Sequence, residues 1–267
     1  LEWILLKIGF LQFNPIFGDI EYNVGKVVSM LKNVDFDLMV LPELFNTGYL
    51  FLDRNEVERL AEEVPYGYTC KKLMDLAHEK NAFIVAGIAE KCCGKLFNSA
   101  VIVGPKGVLG VYRKAHLFSR EKLLFDKGDS NFEVYDIGSA KIGVLICFDW
   151  CFPEASRTLA LKGADIICHP SNLILPYAQI AMRVRAIENR VYTITANRIG
   201  VEERGGEKLR FTGLSQIVNP KMEVLCSAGV DDEVVGIVDV DPFMARDKWI
   251  TPYNHVFNDR RVELYKL

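Results

Sequence analysis

The sequence predicts an α/β protein of two packed sheets, each covered by helices, in a single domain spanning residues 1–267. Three observations predict it. Strand-like apolar runs alternate with helical stripes along the first third of the chain, and the alternation returns after residue 141. The strand-like segments are too numerous for one layer with helices on both faces. No Pro/Ser-rich linker, fixed-period repeat or long charge run divides the chain.

In order, residues 4–13 read as a buried strand, and Val24, Val27, Val28 and Leu31 then fall on one helical face. Residues 38–41 form a short buried strand. Cys70, Leu73, Met74 and Ala77 make the next helical stripe, which yields at Asn81 to a strand over 82–89. Strands are expected near 97–103, 108–113 and 141–146, separated by breakers such as Gly-Pro-Lys-Gly. Pro153 and Glu154 suit the first turn of a helix whose buried face holds Ala155 and Leu159, with a stop at Gly163. A strand over 166–168 precedes a helix over 177–190, where Ile180, Val184, Ile187 and Val191 share one stripe. Strands over 193–196, 214–218, 224–226 and 234–240 complete the set.

Half the residues are hydrophobic and a quarter charged, the balance of a globular protein with a sizeable core. A net charge of −3 supplies no electropositive field for a nucleic acid or an anionic membrane, so small-molecule chemistry fits better. The apolar start is interrupted by Glu2 and Lys7 and is too short to span a bilayer. Seven cysteines form no paired framework, which predicts a reducing, cytoplasmic setting without a disulfide scaffold.

The sharpest local feature is Lys-Ile-Gly-Val-Leu-Ile-Cys147-Phe-Asp-Trp-Cys-Phe-Pro-Glu, which places Cys147 between a buried strand and a helix starting at Pro153. A side chain there points into the crevice where α/β proteins bind ligands, with backbone N–H groups near for an oxyanion. The plain alternative is a small buried hydrophobe. A nucleophilic thiol needs a base or a cation beside it. His116 and His169 are the histidine candidates, since His78 sits on a solvated helix and His255 in a polar tail. Glu43, in Leu-Pro-Glu-Leu-Phe, and Lys114, in Tyr-Arg-Lys-Ala-His-Leu, also follow strands directly. A carboxylate and an ammonium buried together compensate each other's desolvation while polarising the thiol.

These motifs resemble those of the nitrilase, or carbon–nitrogen hydrolase, superfamily over essentially the whole chain. A glutamate in Pro-Glu, a lysine in Tyr-Arg-Lys-x-His-Leu and a cysteine in Cys-x-Asp-x-x-Phe-Pro-Glu occur in the family's order. The resemblance implies a four-layer αββα sandwich and association through helical faces into a homodimer or higher homo-oligomer. It makes Glu43 the general base, Lys114 the stabiliser of the tetrahedral intermediate and Cys147 the nucleophile. It also makes Glu121 a second glutamate that orients substrate and lysine. No cofactor or metal is implied, and the partners are a small amide or nitrile substrate and water. The Phe148 backbone N–H would share the oxyanion with Lys114.

Substrate choice is read from a departure: Cys151 stands where several dicarboxylate-handling amidase relatives carry Arg, so a carboxylate-bearing substrate loses its simplest partner. Small neutral aliphatic amides or nitriles are therefore expected, with an N-carbamoyl-amine amidohydrolase as the alternative. Asn172 and Tyr49 join Phe148 as expected substrate-binding residues, and Leu173, Ile174, Leu175 and Pro176 as an apolar wall. Two readings of another class remain: a non-catalytic binding protein, and a zinc site on Cys147, Cys151, Cys168 and His169, which lacks a second compact ligand pair.

Overall fold

The computed structural model describes residues 5–265. Its elements run β1 (Leu6–Gln12), α1 (Ile20–Leu31), β2 (Leu38–Val40), α2 (Arg54–Leu60), α3 (Tyr68–Lys80), β3 (Phe83–Cys92), β4 (Lys95–Gly104) and β5 (Gly107–Arg113). There follow α4 (Glu121–Leu124), β6 (Val134–Asp136), β7 (Lys141–Val144), a 3-10 turn (Cys147–Cys151), α5 (Pro153–Leu161), β8 (Ile166–Pro170), α6 (Ala178–Asn189) and β9 (Tyr192–Ala196). The chain continues through β10 (Val201–Arg204), β11 (Glu207–Arg210), β12 (Gln216–Val218), β13 (Val224–Ser227) and β14 (Val234–Val240).

Two six-stranded sheets result, ordered β14-β1-β2-β3-β4-β5 and β13-β12-β9-β8-β7-β6. The period-2 alternation of the strands explains why they stack. Ile8, Phe10, Leu38, Val40, Ala100 and Ile102 face the other sheet, where they share a core with Ile142, Val144, Ile166, Cys168 and Ile194. The alternate residues Leu11, Met39, Leu41, Ile84, Val101 and Val103 pack against Val24, Val27 and Leu31 of α1 and Leu73 and Ala77 of α3. Leu159 of α5 and Met182 of α6 cover the second sheet. The order is helices, sheet, sheet, helices: the αββα sandwich.

Local signals set the ends. Asp19 caps α1 by accepting from Tyr22 N at 3.1 Å, Asn81 closes α3 in the left-handed conformation at φ 50°, and Pro153 occupies the first turn of α5.

The structure corrects one reading. The α6 stripe of Ile180, Val184 and Ile187 faces outward, 56%, 38% and 40% exposed, while Ala178, Met182 and Ala186 face the core. Periodicity finds the stripe but not its direction, because the small core-facing residues give a weaker apolar signal. Strand β7 ends two residues before the expected position, Ile4 of the expected first strand lies outside the described residues, and β6, β10 and β11 lie beyond the sequence expectation. All seven cysteines are free. No helix among the described residues is long and apolar enough to cross a membrane.

Candidate active site

The parallel strands of both sheets end at one place. Glu43 follows β2, Lys114 follows β5, Cys147 follows β7 and Asn172 follows β8. The Glu43 loop lies directly on β3. Phe45 N donates to Gly87 O at 3.0 Å and Gly87 N to Pro42 O at 3.2 Å. A Cβ on Gly87 would stand 2.4 Å from Glu43 Cα, so only glycine permits this approach. Cys147 opens its 3-10 turn at φ 41°, a conformation that costs a residue bearing a Cβ of order 1 kcal/mol or more and turns the thiol out of the strand's path.

Lys114 is the hub. Its Nζ donates to Glu43 Oε1 at 2.7 Å and to Glu121 Oε1 at 2.8 Å, with its side chain and that of Glu43 fully buried. Burial alone would strip the ammonium of its proton, but the Glu121 and Glu43 carboxylates outweigh it and hold the Lys114 pKa above its ordinary range. Glu43 Oε1 also accepts from Asn98 Nδ2 at 2.7 Å. Glu43 Oε2, equally buried, has no hydrogen-bond partner among the described residues, which leaves an acceptor for a proton delivered by another group. Glu121 Oε1 accepts from the Tyr49 hydroxyl at 2.7 Å and Oε2 from Phe118 N at 3.2 Å. Burial raises the Glu121 carboxyl pKa against the pull of Lys114. Burial, then Glu121 and Glu43, push the Tyr49 phenol well up, so it stays a donor.

Burial and the Glu43 carboxylate push the Cys147 thiol well above its ordinary range; Lys114 and the Asn172 backbone N–H, aimed at the sulfur, pull it down. The resting sulfur is therefore a thiol, since a thiolate would add a third anion around one cation. Asn172 also fixes the other half of the site, its Nδ2 donating to Glu43 O at 2.9 Å. Phe148 lies in the first turn after Cys147, where N–H groups have no helical acceptor. Phe118, Phe148, Trp150, Leu173, Ile174 and Leu175 enclose the cleft above the sulfur. Tyr49 lines the adjoining cavity with Glu121, Leu124 and Leu209.

Neither histidine candidate pairs with the thiol. His169 Nε2 lies 2.8 Å from the Cys147 carbonyl oxygen, and burial lowers its pKa to about 4, so the ring is a neutral donor to that carbonyl. His116 Nδ1 lies 2.7 Å from Asp149 Oδ1 and its ring stacks on Phe152. The zinc set is not assembled: Cys151 is exposed, Cys168 is inside β8, and no group of three or more His, Cys, Asp or Glu among the described residues is arranged to hold a metal.

Several supporting residues escape sequence reasoning. Asp149, fully buried, accepts from Tyr112 OH at 2.8 Å and from Ile146 N at 2.8 Å, tying the Cys147 turn to β5. Glu202, on β10, accepts from Tyr49 N at 3.1 Å and Leu50 N at 2.6 Å, and is itself held by the buried Arg198 guanidinium. Arg198 stacks on Phe211, 4.0 Å away, and Tyr49 meets the same ring edge-on. An isolated Gly in the apolar run 82–89 was the available signal for Gly87; Arg198 and Glu202 resemble surface charges in sequence.

The carbon–nitrogen hydrolase family model matches residues 7–248. A nitrilase of Pyrococcus abyssi is 50% identical, the match covering 98% of this chain and 99% of that protein. An N-carbamoylputrescine amidase of Solanum tuberosum is 31% identical, covering 98% and 94%. The crystal structure of a carbon–nitrogen hydrolase from Helicobacter pylori G27 superposes with a TM-score of 0.87 at 27% identity, covering 98% of this chain and 97% of that one. Fold, family model and full-length relatives agree: the chain belongs to the carbon–nitrogen hydrolase family and is a nitrilase-superfamily hydrolase.

Proposed function

We propose that this hydrolase cleaves the carbon–nitrogen bond of small, neutral, aliphatic amides or nitriles through a thioester on Cys147. The observation that carries the reading is the unpartnered Glu43 Oε2 in a buried carboxylate–ammonium array beside a protonated thiol. Glu43 takes the Cys147 proton as sulfur attacks the substrate carbon. Lys114 and the Phe148 N–H hold the oxyanion of an amide intermediate. Glu43 returns the proton to the leaving nitrogen, then takes one from the water that hydrolyses the thioester, releasing the acid and restoring the thiol. A nitrile adds one step, since its thioimidate must take up water and lose ammonia before the same thioester is reached. Glu121, held by Tyr49, keeps Lys114 placed between the two carboxylates.

Substrate class follows from the rim. The residues over Cys147 are apolar or amide-bearing. Arg120, at the adjoining mouth, is already paired with Glu207. A substrate carboxylate finds no free guanidinium there. The N-carbamoyl-amine reading rests on the Solanum tuberosum relative. Ammonia release across matched aliphatic amide, nitrile, carbamoyl-amine and carbamoyl-amino-acid compounds separates the readings. A clear kcat/KM preference for the carboxylate-bearing compound overturns the proposal. Mass spectrometry of a slow substrate should trap the acyl group on the Cys147 peptide.

Residues 1–267 act here as one domain in a cytoplasmic homodimer or higher homo-oligomer. The outward stripe of Ile180, Val184 and Ile187, beside exposed Leu161 and Tyr177, supports a helix-to-helix interface. Sedimentation of Val184→Glu tests it: the native assembly should dissociate.

A further inference from the structure

Hydrolysis makes no use of the β3–β4 turn. The two strands pair down to Cys92 opposite Lys95, leaving Cys93 and Gly94 as the two central residues. Both have left-handed φ, 51° and 76°, the type I′ geometry that Asn-Gly or Gly-Gly adopts with least strain. Cys93 at that position gains neither turn propensity nor burial, for it is exposed, and Cys92 is half-buried. What the turn does achieve is to bring the two sulfurs to 3.4 Å. The surroundings are largely basic, with Arg54, Lys91 and Lys95 around the turn beside Glu58 and Glu63. The nearby Arg113 guanidinium is held by Glu90 and Asp129. Hydrogen bonding to Cys92 raises the Cys93 pKa, while Arg113 and Lys95 pull it down.

Geometry distinguishes the two fates of such a pair. A disulfide needs Cα atoms about 4.4–6.8 Å apart, whereas neighbours across a trans peptide are held at about 3.8 Å, so oxidation to a ring is strained. A shared ligand is not. Sulfurs 3.4 Å apart, each about 2.3 Å from one centre, enclose an angle of ~95°. That is the angle of a pyramidal trivalent centre. Tetrahedral zinc wants wider angles and two further ligands, and no third His, Cys, Asp or Glu among the described residues joins the pair as a ligand group.

We propose that Cys92 and Cys93 form a chelating dithiol site for one thiophilic trivalent metalloid centre of the arsenic(III) class, separate from the Cys147 cleft. Two S–H bonds and two As–O bonds of the hydrated metalloid break, two As–S bonds form and two waters leave. No oxidation state changes. Among the described residues Cys92 and Cys93 make the sulfur–sulfur contact and Cys147 makes none, so Cys147 forms at most a single exchangeable As–S bond.

The test is phenylarsine oxide added to the full chain in the presence of excess 2-mercaptoethanol, followed by intact-mass and peptide mass spectrometry. One phenylarsenic group per chain should remain on the peptide holding Cys92 and Cys93, and 2,3-dimercaptopropanol should remove it. Cys93→Asn, which supplies the residue a type I′ turn prefers, should hydrolyse substrate like the native protein yet retain the label at least ~100-fold less tightly, the loss expected when the second attachment is no longer intramolecular. Cys92→Ser should do the same. Label on the Cys147 peptide, loss to the monothiol from the native chain, or unchanged retention in either variant overturns the proposal.

Discussion

The first sheet, read from β14 to β5, pairs antiparallel, parallel, parallel, antiparallel, antiparallel; the second, read from β6 through β7, β8, β9 and β12 to β13, pairs in the same sequence. Phe10 faces Val40 and Val40 faces Val85 in one half; Val144 faces Cys168 and Cys168 faces Ile194 in the other. Matching positions can therefore be named. Cys147, three residues beyond Val144, corresponds to Phe13, three beyond Phe10, a core side chain against α1 and α3. Gly87, two beyond Val85, corresponds to Ala196, two beyond Ile194. The same scaffold position thus hosts a phenyl ring in one half and a strained thiol in the other. A strand end offers a place for chemistry, and under the proposed function the charges gathered there decide which end is used. The first half supplies those charges, Glu43 and Lys114, and the second supplies the thiol and the Asn172 amide.

The largest effect should come from the thiol half. If the proposed mechanism holds, Cys147→Ala should lower kcat by ~10³-fold or more with the fold retained, and Glu43→Gln or Lys114→Ala by nearly as much, because members of one catalytic unit are not additive. Phe13→Leu should instead cost ~1–2 kcal/mol of stability and leave kcat near native. Rates and melting curves on the two variants break the comparison if the pattern reverses. So does a Glu43→Gln/Lys114→Ala double variant whose loss is the simple product of two modest single losses.

Gly87 is next. Its counterpart Ala196 carries a Cβ without harm, but at Gly87 a Cβ would meet the Glu43 backbone at 2.4 Å. Gly87→Ala must move Glu43 or β3, and if Glu43 is the base proposed above, a displacement of about 1 Å costs on the order of 10²-fold. A Gly87→Ala protein with native kcat/KM would show that the Glu43 position is not critical.

Glu202→Gln should act more mildly on turnover. It leaves the buried Arg198 charge without its partner, a change worth about 3–5 kcal/mol of stability when a buried pair loses one member. It also weakens the hold on Tyr49 and, through it, on Glu121 and Lys114. A lower melting temperature with a several-fold drop in kcat and little change in KM is expected. A stability loss with untouched kcat would make the pair purely architectural.

What the sequence made legible follows from range. Strand and helix periodicity is local, so β1, α3, α5 and β14 emerge within a residue or two of their observed ends, while α1 is read only from Val24, four residues after its start. Glu43, Lys114 and Cys147 emerge because each directly follows a strand and because the family motifs mark them. The Gly87 contact, the Asp149–Tyr112 tie and the hold of Glu202 on Tyr49 join segments 37 to 153 residues apart, and no local pattern encodes such meetings. The direction of the α6 stripe was lost for a related reason: Ala178 and Ala186 serve the core by being small, and hydrophobic periodicity does not register smallness.

The smallest effect expected on turnover belongs to His169, on β8 beside Cys147, which instead sets a pH window in stability. Its ring is buried, hydrogen-bonded to the Cys147 carbonyl and to Thr195, and titrates at about 4 rather than its ordinary 6.5. Between those values the unfolded chain takes up a proton that the folded chain refuses, so stability is complete above pH 6.5 and falls as pH drops toward 4. The full loss is about 3 kcal/mol. Glu121 has the opposite sign, because its raised pKa lowers stability as pH climbs through the folded value, so the native profile is a sum of both. His169→Gln keeps a donor for the Cys147 carbonyl but cannot titrate. Subtracting its urea-unfolding free energies from those of the native protein between pH 7 and 4 isolates the histidine, and the difference should shrink steadily with acid. Parallel curves would mean that the folded ring accepts its proton as readily as the unfolded one, and that the thiol half carries a charge beside Cys147 that its burial should forbid.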